Sequence, residues 1–226
     1  MELSAMAQWL NTAFAGYDGA ILGAMHSLGE AAGKVLTPIM KLITLLGEKG
    51  LLLFLLALVF MCFSNTRKPG ICIFGAVCCG ALITNIILKD AVARPRPFET
   101  AENFEMWWLA IGAPAEDGFS FPSGHVTAAA AGLTALCLTM GKKYIAPSAV
   151  IVVLMGISRN YLMAHYPSDV LFAMIIGFAS AFIAYAITKL IYRILEEHDN
   201  TPFCAFVLSF NITDLRQSGY RGKHLR

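Results

Sequence analysis

Charge is what this sequence is shortest of. Of its 226 residues only 14% are charged and 57% are apolar, whereas soluble domains carry about 25% charged residues. The mean hydropathy of +0.64 points the same way. A free-standing soluble domain is excluded, and the length suits one multi-pass membrane domain. A net charge of +2 leaves no basic excess to capture nucleic acid, so no nucleic-acid partner is expected. No Lys or Arg precedes Lys34, so the positive start of a secretory signal peptide is lacking. The six cysteines include the adjacent pair Cys78-Cys79 and show no metal-ligand spacing. They read as small buried hydrophobes, not as a disulfide frame. Internal repeats and low-complexity tracts are also lacking.

What is present is a series of apolar runs with polar punctuation. In residues 1–35, Leu10, Phe14, Tyr17, Ile21, Met25 and Leu28 recur at spacings of three or four, an amphipathic period without the bulk of a span. This segment is expected to lie along the membrane surface as an interfacial helix, with His26 as a surface polar residue. Met40 to Phe63 reads as the first span, Ile71 to Leu88 as the second, Ser123 to Met140 as the third, Tyr144 to Ala164 as the fourth and Pro167 to Tyr192 as the fifth. Residues 98–121 carry Glu99, Glu102, Glu105, Glu116, Asp117, Trp107 and Trp108. That connection reads either as an interfacial loop or as a lid. The expected fold is an all-α polytopic transmembrane helix bundle of five spans, or six if the N-terminal segment crosses. Its parts are an N-terminal interfacial segment (1–35), a transmembrane domain (36–193) and a tail (194–226).

Orientation follows from Lys and Arg. Arg67, Lys68, Lys142, Lys143, Lys189, Arg193 and the tail residues Arg216, Arg221, Lys223 and Arg226 fall on one side, which the positive-inside rule makes cytoplasmic. Lys89, Arg94, Arg96 and Arg159 fall on the other side, within three polar clusters. These are Lys89 to Pro97, Phe121 to His125, and Ser158 to Asp169.

The clusters hold the parts needed to grip a phosphate. A phosphoryl group in transfer spreads negative charge over its equatorial oxygens, so catalysis requires positioning and fixed positive charge. Lys89, Arg96 and Arg159 fit that need, the arginines as two-pronged donors. A lone cation at a span end is also a snorkelling anchor, but three beside two imidazoles favour the phosphate. Arg94 is expected to pair with Asp90 or a headgroup. Ser123 is a good N-cap and Gly124 leaves its amide open, so the third span begins as an anion site with His125 in its first turn. Pro167 suits the first position of the last span and puts Asp169 in the first turn. Asp169 is then expected to accept a hydrogen bond from His165 and leave the other ring nitrogen free to attack.

In this order the clusters resemble the type 2 phosphatidic acid phosphatase superfamily, which also includes vanadium haloperoxidases. Its pattern of Lys-x6-Arg-Pro, Pro-Ser-Gly-His and Ser-Arg-x5-His-x3-Asp is met by Lys89, Arg96-Pro97, Pro122 to His125, Ser158-Arg159, His165 and Asp169. The resemblance covers about residues 35–192. It implies a reaction without metal or other cofactor, in which His165 attacks phosphorus to form a phosphohistidine, His125 protonates the leaving oxygen, and water then releases phosphate. Lys89, Arg96, Ser123, Gly124 and Arg159 would hold the phosphate. The expectation is thus a multi-pass cell-membrane lipid phosphatase with its site on the extracytoplasmic side and its tail in the cytoplasm. Its substrate would be a polyprenyl pyrophosphate, phosphatidate or phosphatidylglycerophosphate. Two alternatives are a lipid phosphotransferase with the same site and a non-catalytic lipid-phosphate binder or transporter. The motifs read the phosphate and not the tail, and they leave oligomeric state open.

Overall fold

The computed structural model describes residues 3–213, and the tail cations Arg216, Arg221, Lys223 and Arg226 lie outside them. The described residues are helical with short connections. In order they form α1 (Ala5–Ala13), α2 (Ala15–Leu46), α3 (Leu51–Met61), α4 (Arg67–Ala81), α5 (Lys89–Val92), α6 (Glu102–Ala110), α7 (Gly124–Met140), α8 (Ile145–Tyr161), α9 (Pro167–Glu197) and α10 (Pro202–Ser209). A π-helix, Leu82–Leu88, joins α4 to α5.

The bundle is built around α4, α7 and α9, which pack on one another, with α3 against α4 and α8 between α2 and α7. Small residues make this possible. Ala128 to Gly132 of α7 are buried in succession. At Gly177 of α9 an added Cβ would lie 2.8 Å from the Thr127 carbonyl oxygen and 2.6 Å from the Ala130 Cβ. At Gly70 it would lie 2.6 Å from the Ala57 carbonyl oxygen, so α3 and α4 approach equally closely. Packing of this kind holds helices together in lipid, where apolar burial gives little drive.

The large apolar side chains point outward instead. Leu55, Leu58, Val150, Ile175, Phe182 and Leu190 are all exposed. In water such a surface would be an aggregation liability, whereas in a bilayer it is the solvent-facing side. The stretches Ala15–Met61, Arg67–Glu99 and Pro167–Glu197 are long and apolar enough to cross a membrane, and α7 is a shorter apolar helix.

The expected span Met40 to Phe63 is not one helix. It is shared between α2 and α3 and broken at Glu48–Gly50, where Lys49 (φ 49°) and Gly50 (φ 68°) take left-handed backbone. Gly50 is needed there: besides its φ, an added Cβ would sit 3.1 Å from the Ala128 Cβ. The N-terminal segment runs on through α2, which bends at Ala32 and ends at Leu46. Two polar residues of that segment are more engaged than their sequence suggests. His26 stacks on Trp107 at 4.1 Å, and Asp18 is only 3% exposed.

Candidate active site

Three junctions of the bundle meet at one cavity of about 500 Å³, lined by Lys89, Arg96, Gly124, His125 and His165 together with Glu48, Lys49, Asn85, Glu116 and Asp117. Asn85 of the π-helix and Lys89, the first residue of α5, both line this space. Residues four apart share a helix face, and π-type turns recur at functional sites.

Ser123 caps α7 from extended backbone, but its hydroxyl makes no capping bond. Its Oγ is buried and has no partner among the described residues. The first amides of α7 are likewise without intrahelical acceptors and Gly124 adds no side chain, so these donors are left open, as at helix starts that bind anions. Arg159, in the last turn of α8, has no exposed surface. Its Nη2 pairs with Glu116 Oε1, while its Nε and Nη1 are buried and unpartnered. A buried polar group without a partner is costly and calls for an occupant. Here two guanidinium nitrogens and a hydroxyl do so together.

Arg96 is also buried. Its Nε donates to the Gly118 carbonyl at 2.9 Å, its Nη1 to Ala164 at 2.8 Å and its Nη2 to Asp117 at 2.8 Å. Glu116 Oε2 lies 3.2 Å from the same Nη1. Arg96 therefore ties the acidic connection to the residue before His165. Of residues 98–121, Ala115, Glu116 and Asp117 form part of the cavity wall. Left-handed backbone at Gly112 (φ 88°) and Gly118 (φ 65°) brackets them.

His165 sits between α8 and α9 and is 2% exposed. Its Nδ1 lies 2.6 Å from the Ser120 carbonyl oxygen. A carbonyl only accepts, so Nδ1 carries the proton and Nε2 keeps a free lone pair. Burial, and then the charges of Arg159 and Arg96, hold this imidazole well below its ordinary pKa, so it is neutral near pH 7. The expected hydrogen bond from His165 to Asp169 is not made, for Nδ1 stands 3.8 Å from Asp169 Oδ2. Asp169 acts one step further out. It accepts from the Ser120 hydroxyl at 2.5 Å and from the Tyr166 amide at 3.0 Å, closing the first turn of α9 behind Pro167. His125 Nε2 lies 3.2 Å from Glu48 Oε2, which comes from the break between α2 and α3.

Arg94 departs from expectation. Asp90 is not its partner; Nη1 lies 2.6 Å from Asp169 Oδ1 and Nη2 lies 2.9 Å from Asp18 Oδ2. Nor did the sequence point to Glu48, Asn85 or Asp18 as neighbours of the site. The signals passed over were the Gly47-Glu-Lys-Gly50 interruption of an apolar run read as one span, and the place of Asn85 four residues before Lys89. Nothing local marked Asp18.

The PAP2 superfamily model matches residues 70–193, a range that includes all three clusters. An undecaprenyl-diphosphatase of Sulfolobus acidocaldarius is 29% identical over 129 residues, 57% of this chain and 60% of that protein. An undecaprenyl-diphosphatase of Bacillus subtilis is 28% identical over 172 residues, 76% of this chain and 84% of that protein. The match thus spans less than two thirds of the first relative and most of the second. The crystal structure of a transmembrane PAP2-type phosphatidylglycerolphosphate phosphatase from Bacillus subtilis superimposes with a TM-score of 0.64 at 26% identity, covering 82% of this chain and 92% of that one.

Proposed function

Because the chain belongs to the PAP2 superfamily, we propose that it is an integral membrane lipid phosphatase that removes a phosphoryl group from a lipid phosphomonoester or diphosphate through a phosphohistidine. The observation that carries this reading is one cavity lined by two imidazoles, while Arg159, bonded to Glu116 of its wall, and Ser123, next to Gly124 of its wall, keep buried donors unpaired.

In the first step the Nε2 lone pair of His165 forms a bond to phosphorus. The bond from phosphorus to the leaving oxygen breaks, and its electron pair stays on that oxygen. His125, protonated, donates a proton to it, so the lipid departs as an alcohol or a monophosphate. The ring of His165 becomes a phosphoimidazolium whose Nδ1–H remains on the Ser120 carbonyl. Lys89, Arg96, Arg159, the Ser123 hydroxyl and the α7 amides at Gly124 oppose the charge that builds on the equatorial oxygens. In the second step His125, now neutral, takes a proton from water. The oxygen of that water attacks phosphorus, the N–P bond breaks, and phosphate leaves. No step requires a metal. Asp169 holds Ser120 and the start of α9 in place.

The scheme puts the cavity on the extracytoplasmic side, where Lys89, Arg96 and Arg159 gather, and residues 194–226 in the cytoplasm. The working domain is taken as residues 36–193. The names of the similar proteins, undecaprenyl-diphosphatases among them, favour a lipid diphosphate or phosphoglycerol lipid as substrate. The test is phosphate release by purified protein in EDTA from farnesyl diphosphate, phosphatidate and phosphatidylglycerophosphate. Release from one tail class is expected, and H165A is expected to abolish it while lipid-phosphate binding persists. Binding without release by the wild-type chain would make the protein a carrier or receptor.

A further inference from the structure

Behind His165, on the side away from the cavity, lies a buried ionic cluster that reaches into the N-terminal helix. Asp18, on the first turn of α2, is 3% exposed and Arg94 is 1% exposed. Asp18 Oδ2 lies 2.9 Å from Arg94 Nη2 and accepts from the Ser168 hydroxyl at 2.7 Å, while Oδ1 accepts from the Ser168 amide at 2.8 Å. Arg94 uses its other prong on Asp169 Oδ1 at 2.6 Å and its Nε on Asn11 of α1 at 2.8 Å. Its guanidinium also stacks 3.8 Å over the ring of Tyr166. From Asp169 the path continues through Ser120, whose hydroxyl donates to Oδ2 and whose carbonyl accepts from His165 Nδ1.

We infer that Asp18 is a positioning residue for the phosphotransfer step, acting on His165 through Arg94, Asp169 and Ser120. The inference rests on the phosphatase reading and extends the working unit beyond residues 36–193 to α1 and α2. Two features carry it. One is geometric: both carboxylates are fixed on one guanidinium fork, and both also grip the first turn of α9, Asp18 at Ser168 and Asp169 at Tyr166. A shift of Asp18 therefore moves the group that holds Ser120. The other is charge. One guanidinium faces two carboxylates, Asp18 and Asp169, behind an imidazole that becomes cationic when its Nε2 bonds to phosphorus. That charge develops only in the reaction, so the cluster favours the transition state over bound substrate. A mere ion pair would have needed one carboxylate, and a buried triad costs desolvation that a hydrophobic trio would not.

The test uses the full chain in detergent with farnesyl diphosphate and phosphatidate as probes. D18N keeps the shape and removes the charge. It is expected to lower kcat by between about 10- and 100-fold, as loss of a group that orients a reacting side chain does, and to leave KM within about twofold, since Asp18 does not touch phosphate. D18E is expected to recover part of the loss. Ser4 also docks the N-terminal segment, its hydroxyl donating to the Val92 carbonyl, and S4A is the control for docking alone: kcat is expected to stay within about twofold. R94K carries the same test if D18N does not fold, because it keeps the cation and loses the fork. Wild-type kcat in a folded D18N overturns the inference and leaves the phosphatase reading intact. An equal kcat loss in S4A, or failure of both D18N and R94K to fold, also overturns it, the cluster being then a fold element. No phosphate release by the wild type overturns both.

Discussion

The Nδ1 proton of His165 is held by the carbonyl oxygen of Ser120 at 2.6 Å, and not by the carboxylate of Asp169 at 3.8 Å. A neutral acceptor does not favour imidazolium as a carboxylate does, and burial beside Arg159 disfavours it. The sign follows. His165 reacts as the neutral base, so activity is lost only as pH falls through its folded pKa, which lies well below 6.5. The acid limb of kcat/KM assigned to His165 is expected well below pH 6.5, and R159Q, which removes a repelling cation, is expected to move it upward. A substrate limb would not move. Profiles of both proteins taken from pH 8 down to the acid limit of folding check this, and an unmoved limb contradicts it.

Glu116 occupies, with its two oxygens, donors of Arg159 and Arg96 that a phosphate would take. If substrate phosphate takes those donors, it displaces Glu116. E116Q is expected to lower KM several-fold and at most about tenfold, the equivalent of about 1.4 kcal/mol. Its thermal midpoint is expected to fall, because two buried guanidinium groups lose their counter-charge, and inorganic phosphate is expected to restore it more than in the wild type. Equal phosphate protection in both proteins would show that Glu116 does not compete.

If His125 is the general acid, its worth depends on the leaving group. H125Q is expected to cost between about 10²- and 10⁴-fold on a lipid alcohol and far less on p-nitrophenyl phosphate, whose phenolate leaves without a proton. Comparison of kcat on the two substrates decides. Equal losses would reassign His125 to binding.

Packing of α7 on α9 also sets the site, because His125 lies in the first turn of one helix and His165 two residues before the other. In G177A the new methyl would meet backbone atoms of Thr127 and Ala131 at 2.8 and 2.9 Å. The helices must part, at a cost of about 1–3 kcal/mol. Denaturation in mixed micelles should show that loss, together with reduced kcat from the displaced imidazoles.

Much of the site was legible because its parts are local. Ser123-Gly124-His125 is a helix start, Pro167 to Asp169 another, and Arg159 lies on a last helical turn; such residue types mark helix ends in the sequence itself. The connection of residues 98–121 was readable only as one of two things, because what a polar loop covers depends on distant partners. The first apolar run misled because hydropathy sums over Gly47 to Gly50 without registering left-handed backbone at Lys49 and Gly50.

By itself the sequence determined a helical membrane protein with two imidazoles and three cations in motifs of a phosphate site, since composition and capping need no partner to be read. Only the tertiary structure decided who neutralises whom. Arg94 chose Asp18 and Asp169 over nearby Asp90, His165 turned its proton to Ser120, and Glu116 came to rest on Arg159. Those pairings join residues far apart in the chain, and burial selects them: once water is gone, each charge must find the partner that the helix packing puts within reach.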